Sequence, residues 1–62
     1  MILADLEKLD FVTFEYGYRY KISPRKATNT IILNAVLQTL KNNNYTLYQL
    51  CQGGYIFAEK QH

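Results

Sequence analysis

The sequence has little of what very small proteins use to reinforce a small core. Cys51 is the only cysteine and His62 the only histidine among the 62 residues. A single cysteine forms no disulfide within the chain, and one cysteine with one histidine makes no zinc cluster. A domain of this size buries only about 60% of the surface that its unfolded chain exposes. Of the usual remedies for a marginal core, association with another chain remains.

Segments for export or for membrane insertion are also missing from the sequence. The N-terminus has no basic leader and reaches an acidic residue at Asp5, so no signal peptide is expected. The longest aliphatic run is only residues 31–33, whereas a membrane span needs about 20 apolar residues. We expect a cytoplasmic protein without membrane contact. Cys51 is interpreted as a small buried strand residue, with a reactive thiol as the alternative.

Residues that would support catalysis or hold a cofactor are equally scarce. Ser23 is the only serine, and it precedes Pro24, which suits a helix cap. His62 lies at a terminus that is expected to fray. Apart from Glu59, all acidic residues lie within the first fifteen positions, and no glycine-rich phosphate loop is present. We therefore expect no enzymatic activity, no metal site and no cofactor.

Charge is distributed unevenly along the chain. Residues 1–15 carry four acidic residues and one lysine, whereas residues 16–58 carry five basic residues and no acidic one. The acidic segment can meet the basic one, within the chain or between subunits, or a basic face can meet an acidic partner. Chance clustering on a solvated surface is the alternative. The predicted partner-binding residues are Arg19, Lys21, Arg25 and Lys26.

Residues 11–22 alternate strictly between two sets of side chains, which indicates β-structure. One set holds Val12, Phe14, Tyr16, Tyr18, Tyr20 and Ile22, and the other includes Glu15, Gly17, Arg19 and Lys21. Two geometries preserve this alternation. A hairpin with the loop Glu15-Tyr16-Gly17 pairs Phe14 with Tyr18 and places Gly17 in the left-handed region. A single long strand with a bulge at Gly17 is the alternative.

A helix follows, starting either at Ser23-Pro24 or at residues 28–30, and ending at residues 42–44, where asparagine tolerates the left-handed position. Its apolar residues cover about 240° of the helical wheel, more than one sheet can bury. A short N-terminal helix bearing Ile2, Leu6 and Leu9 is expected to cover part of this arc, and a second subunit the rest. The apolar residues are Ile31, Ile32, Leu33, Ala35, Val36, Leu37 and Leu40, with Ile32 deep in the arc and Leu37 near its edge.

The last third of the chain predicts a hairpin with a two-residue turn at Gly53-Gly54. This register pairs Leu50 with Phe57. Tyr48, Leu50, Tyr55 and Phe57 then share one face, and Tyr45, Leu47, Cys51, Ile56 and Ala58 share the other. Both faces are apolar and one helix covers only one of them, so the other face calls for a partner. The predicted self-association residues are Leu37, Tyr48, Tyr55 and Phe57.

Residues 31–58 resemble a family of small uncharacterised bacterial β-α-β-β domains. The similarity lies in the helix end Leu40-Lys41-Asn42-Asn43-Asn44, the strand start Tyr45-Thr46-Leu47, the glycine turn and the closing strand Tyr55-Ile56-Phe57. The family has a Gly-Trp-x-Leu strand start where this chain has Asn44-Tyr45. The resemblance implies an antiparallel sheet with one helix and no known chemistry.

These observations predict a single α+β domain, with an antiparallel sheet of three to four strands and one main helix, in the order ββαββ or βαββ. The expected function is non-enzymatic binding. An inhibitor or adaptor that self-associates and docks on an acidic surface of a larger protein fits best, in the manner of small phage or mobile-element proteins. The alternative is nucleic-acid or nucleotide binding through residues 16–26. Against it, Tyr18 and Tyr20 lie on the opposite strand parity to Arg19 and Lys21.

Overall fold

The computed structural model describes residues 1–49 and 54–60. It confirms the α+β class, with one main helix and four antiparallel strands in the order ββαββ. The strands are β1 (Val12–Glu15), β2 (Arg19–Ile22), β3 (Tyr45–Gln49) and β4 (Ile56–Lys60), and the helix α1 spans Thr30–Asn42. The spatial strand order is β1-β2-β4-β3, so β2 and β4 are central. Two short 3₁₀ helices complete the described part, Leu3–Lys8 and Pro24–Lys26.

Residues 11–22 form the hairpin and not the single bent strand. The observed pairs are Glu15 with Arg19, Phe14 with Tyr20 and Val12 with Ile22, so the predicted pairing of Phe14 with Tyr18 is wrong by two residues. The three-residue loop is therefore residues 16–18. Because the shift is an even number, every strand residue keeps its face. Gly17 does adopt the left-handed region, with φ of 77°.

The second strand pair also keeps its predicted faces while its register moves. Tyr48 pairs with Phe57 and Leu47 with Ala58. The predicted register, in which Leu50 pairs with Phe57, is thus replaced by one shifted by two residues. Predictions that concern Leu50, Cys51, Gly53 and His62 lie outside the described residues.

Helix α1 begins at the later of the two predicted starts. The Asn29 side chain caps it, because its Oδ1 accepts hydrogen bonds from the backbone N–H groups of Ile31 at 2.9 Å and Ile32 at 3.4 Å. Ser23-Pro24 instead opens the short 3₁₀ turn, in which the Ser23 side chain makes no cap hydrogen bond. The helix ends at Asn42, within the predicted residues 42–44, and Asn44 adopts the left-handed region with φ of 66°, as predicted.

The core lies between one face of the sheet and the helices. Val36 and Leu40 of α1 and Leu6 of the N-terminal 3₁₀ helix have no solvent exposure. They meet the strand residues Val12, Tyr20, Ile22 and Ala58, which are also buried. The N-terminal 3₁₀ helix contacts α1 as well as β1, so it covers part of the apolar arc of α1, as expected. Ile2 does not take part, since it is 66% exposed.

The helix buries a narrower stripe than the apolar arc of its sequence. Ile31 is 80% exposed and Ile32 is 37% exposed, whereas Val36 and Leu40 have no solvent exposure. Ile31 lies about 180° from Leu40 on the helical wheel, on the side away from the core. The prediction that Ile32 lies deep in the arc is therefore wrong. Within residues 1–49 and 54–60, no helix has both the length and the hydropathy to cross a bilayer.

Candidate functional site: the open face of the sheet

The face of the sheet opposite α1 carries the residues that sequence reasoning assigned to binding. We call it the open face. It is defined by the strand residues whose side chains alternate away from the core. These are Thr13, Glu15, Arg19, Lys21, Thr46, Tyr48, Phe57 and Glu59, and each of them is exposed or half-buried.

Arg19 organises the centre of the open face. Its guanidinium lies 4.5 Å from the centre of the Phe57 ring and 4.9 Å from that of the Tyr16 ring. The Glu15 Oε1 atom holds it from the neighbouring strand, accepting from Nε at 3.1 Å and lying 3.0 Å from Nη2. A guanidinium held between two rings and a carboxylate is fixed in place before any partner arrives.

Tyr48 and Phe57 form the aromatic patch of the open face. They are directly paired across β3 and β4, and Tyr48 is 48% exposed. Together with Arg19 and Glu59 they line a shallow depression of about 200 Å³. Tyrosine and arginine beside an apolar ring are the residue types that dominate binding energy at protein interfaces.

A second depression, of about 90 Å³, lies at the other end of β2. The Lys21 Nζ atom lies 4.3 Å from the centre of the Tyr55 ring, and Lys26 lines the same depression. Ser23 and Thr13 contribute hydroxyl groups, and Asp10 contributes one carboxylate. Two ammonium groups against one carboxylate make this end of the molecule attractive to an anionic group.

The remaining predicted residues lie elsewhere. Arg25 is exposed, and its Nε lies 3.6 Å from where a β-carbon at Gly54 would stand. Leu37 is half-buried and packs against the core on the helix side of the sheet. The structure thus brings Arg19, Lys21, Tyr48, Tyr55 and Phe57 together on one side of the sheet, but not Leu37.

Two residues of this region were missed by sequence reasoning. Glu15 was placed inside the predicted loop, so its pairing with Arg19 across the observed loop was missed, although a residue just before a hairpin loop faces the residue just after it. Tyr16 was placed on the core parity and, in the hairpin alternative, in the loop, but the contact of its 77% exposed ring with Arg19 was missed. The Tyr16-Gly17 dipeptide was the available signal for the loop. A loop at residues 16–18 pairs Glu15 with Arg19 and leaves Tyr16 exposed.

Residues 1–49 and 54–60 contain no group of three or more metal-ligating side chains. The pKa of Tyr20 is raised above its ordinary value by burial, and to a lesser degree by Tyr45 and Glu7. Tyr20 is a core residue on the helix side, so this shift reports packing and not a site.

Comparison of the chain with family models, with curated proteins and with solved structures gives no match. The resemblance of residues 31–58 to small β-α-β-β domains stays a prediction. The candidate site therefore rests on its own geometry.

Proposed function

We propose that this chain is a non-enzymatic binding protein, an inhibitor or adaptor that docks on a larger protein through the open face. The observation that carries the proposal is the aromatic patch of Tyr48 and Phe57 with Arg19 fixed on the Phe57 ring. Such a patch buries large apolar area at low cost in side-chain entropy, because the rings have few rotatable bonds and Arg19 is already held.

The charges of the open face favour a protein partner over a phosphate backbone. Its strands carry two cations, Arg19 and Lys21, and two anions, Glu15 and Glu59. The Arg19–Glu15 pair is 3.0 Å apart and both side chains are about three-quarters buried, so the charge of Arg19 is largely neutralised within the face. Phosphate backbones are bound by an excess of positive charge, which the centre of this face lacks.

The end of the molecule near Lys21 directs the partner's orientation. Lys21, Arg25 and Lys26 lie close in sequence around the Pro24–Lys26 turn, with Asp10 as the carboxylate of the same depression. An acidic rim on the partner fits this end while an apolar surface fits Tyr48 and Phe57. Opposite charges at a rim mainly raise the association rate.

We also retain self-association as a proposal. A 62-residue chain has a small core, and its open face exposes aromatic side chains that a second copy can cover. Light scattering at micromolar concentration should give a mass of at least twice 7.3 kDa. A monomer that melts cooperatively would contradict it. Because Tyr48 and Phe57 serve both contacts, self-association through this face and docking on a larger protein exclude each other.

The proposed role is like that of small phage or mobile-element inhibitors acting in the cytoplasm, and the exposed aromatic patch of the open face supports it. The test is affinity capture from a lysate of the source cell, with and without nuclease. We expect protein bands that survive nuclease and are lost with Tyr48→Ala. The matched control is Ile31→Ala, which removes an even more exposed side chain from the helix side. Bands that disappear with nuclease, or that persist with Tyr48→Ala, would contradict the proposal.

A second candidate function is binding of single-stranded nucleic acid. The observation that favours it is the Lys21 ammonium 4.3 Å from the Tyr55 ring, since stacking rings and cations on one face suit single strands. On β2, Tyr20 lies on the opposite face to Arg19 and Lys21. Phe57 on β4, and Tyr55 just before it, lie on the same face as these two cations. Titration of fluorescent oligonucleotides at about 150 mM salt tests this candidate, because non-specific contacts alone give dissociation constants of only about 10⁻⁴–10⁻⁶ M. Tighter binding would favour nucleic acid.

A further inference from the structure

The tip of the β1–β2 hairpin has an unusual backbone for its sequence. Tyr16 and Gly17 have φ of 56° and 77°, and the Tyr18 N–H donates to the Glu15 carbonyl oxygen at 3.2 Å. This is a type I′ turn, whose two central positions are normally filled by asparagine, aspartate or glycine. Gly17 fits. Tyr16 holds a conformation that a side chain with a β-carbon resists.

The Tyr16 ring lies outside the buried core. The residue is 77% exposed, and Tyr18 beside it is 53% exposed. Their ring centres are 6.3 Å apart, and the Tyr16 ring meets Arg19 at 4.9 Å. An exposed aromatic residue in an unfavourable backbone conformation is the pattern found where strain is kept for function.

The tip continues the aromatic patch of the open face. The Arg19 guanidinium contacts both the Phe57 ring and the Tyr16 ring, so a row of contacting side chains runs from the sheet to the hairpin tip. The row contains Tyr18, Tyr16, Arg19, Phe57 and Tyr48. Its cation is paired with Glu15 at 3.0 Å, so the end of the row at the tip is aromatic with no free charge.

We propose that Tyr16 and Tyr18 are anchor residues that insert into an apolar cleft of the protein that the open face contacts. This inference rests on the proposed function and names the recognition element and the partner's chemistry. A convex tip with two exposed rings fits a concave pocket, and buried aromatic anchors of this kind hold most of the energy of an interface. The neutralised charge of Arg19 fits an apolar cleft better than a phosphate or an anionic lipid surface.

Tyr16→Asn separates this role from a structural one. Asparagine tolerates the left-handed region, so the variant should be more stable than the wild type, with a melting midpoint higher by at least about 4 °C. Its affinity for the captured and purified partner, measured by titration calorimetry, should fall by at least about 30-fold. Tyr16→Phe keeps the ring and should bind as the wild type does.

The outcomes distinguish this inference from the proposed function. If Tyr48→Ala abolishes binding while Tyr16→Asn binds as the wild type does, the anchor is refuted and docking through the open face stands. If the wild type retains no nuclease-resistant protein, the proposed function fails and the anchor fails with it. If affinity falls but Tyr16→Asn is less stable than the wild type, the ring supports the fold and the anchor is again refuted.

A membrane is the other apolar environment that an aromatic tip can enter. Sedimentation with vesicles of zwitterionic lipid, and with vesicles containing anionic lipid, tests it with wild type and Tyr16→Asn. We expect no vesicle binding by either. Binding by the wild type that is lost in Tyr16→Asn would overturn the protein cleft in favour of a lipid surface.

Discussion

The rotation of α1 about its axis decides which of its many apolar residues hold the fold together. Leu40 has no solvent exposure and belongs to the core with Val36 and Leu6. Truncation of a fully buried leucine to alanine costs about 2–5 kcal/mol. At 0.05–0.15 kcal/mol per residue, a domain of this length has a stability of only about 3–9 kcal/mol. Leu40→Ala should therefore remove a large fraction of the free energy of unfolding.

Ile31→Ala is the matched control on the same helix. It removes a side chain of the same size at a position that is 80% exposed. Little apolar area returns to water, and alanine has the higher helix propensity, so the free energy of unfolding should change by less than about 0.5 kcal/mol. Ile31 and Leu40 are similarly hydrophobic, and only their positions on the helical wheel relative to the sheet differ.

Urea unfolding followed by far-ultraviolet circular dichroism measures both changes. The dependence of the free energy on urea concentration should stay the same in the two variants, so that the midpoints report stability alone. Measurements at two protein concentrations separate folding from association. Equal losses for Ile31→Ala and Leu40→Ala at low concentration would refute the observed rotation of the helix. A loss for Ile31→Ala that appears only at high concentration would show that another copy covers it.

Three further predictions follow from single contacts. Burial raises the pKa of Tyr20. The folded state thus holds the Tyr20 proton more tightly than the unfolded state does. The stability that is present below about pH 10 is lost as the pH rises through the folded pKa. In urea unfolding, Tyr20→Phe should therefore lose less stability in alkaline buffers than the wild type does. Asn29→Ala removes the helix cap and should cost about 1 kcal/mol in the same assay, whereas Asn34→Ala, on the exposed helix face, should cost nothing. Charge reversal in Arg25→Glu with Lys26→Glu should leave the melting midpoint unchanged but slow association with the partner, by stopped-flow or surface methods, with the difference vanishing at high salt.

Local patterns in the sequence determined the elements and the faces of the sheet. Alternation over residues 11–22 assigned Val12, Tyr20 and Ile22 to one side and Arg19 to the other, and all four lie as predicted. Both hairpin registers were wrong by two residues, yet no described strand residue changed face. Strand side chains repeat every two residues, so a loop placed incorrectly by an even number leaves the faces intact.

The candidate site could not be predicted in the same way. The sequence assigned Arg19 and Lys21 to a partner and Phe57 to self-association, as two separate surfaces. They form one surface because β2 pairs with β4 and not only with β1, and that pairing joins segments more than thirty residues apart. The alternation of side chains within one strand gives no information about which distant strand pairs with it. Only the tertiary structure therefore placed the guanidinium of Arg19 on the ring of Phe57.

Composition and local periodicity thus determined that this chain has an α+β fold with more apolar surface than its core can use. Tertiary packing decided where the surplus lies. The sheet can bury only the side of α1 that contains Val36 and Leu40, so Ile31 is left exposed despite its hydropathy. The closure of the β1–β2 hairpin decided that Tyr16 lies outside the strand alternation altogether. Side-chain burial depends on which elements meet, and that is a property of the folded chain as a whole.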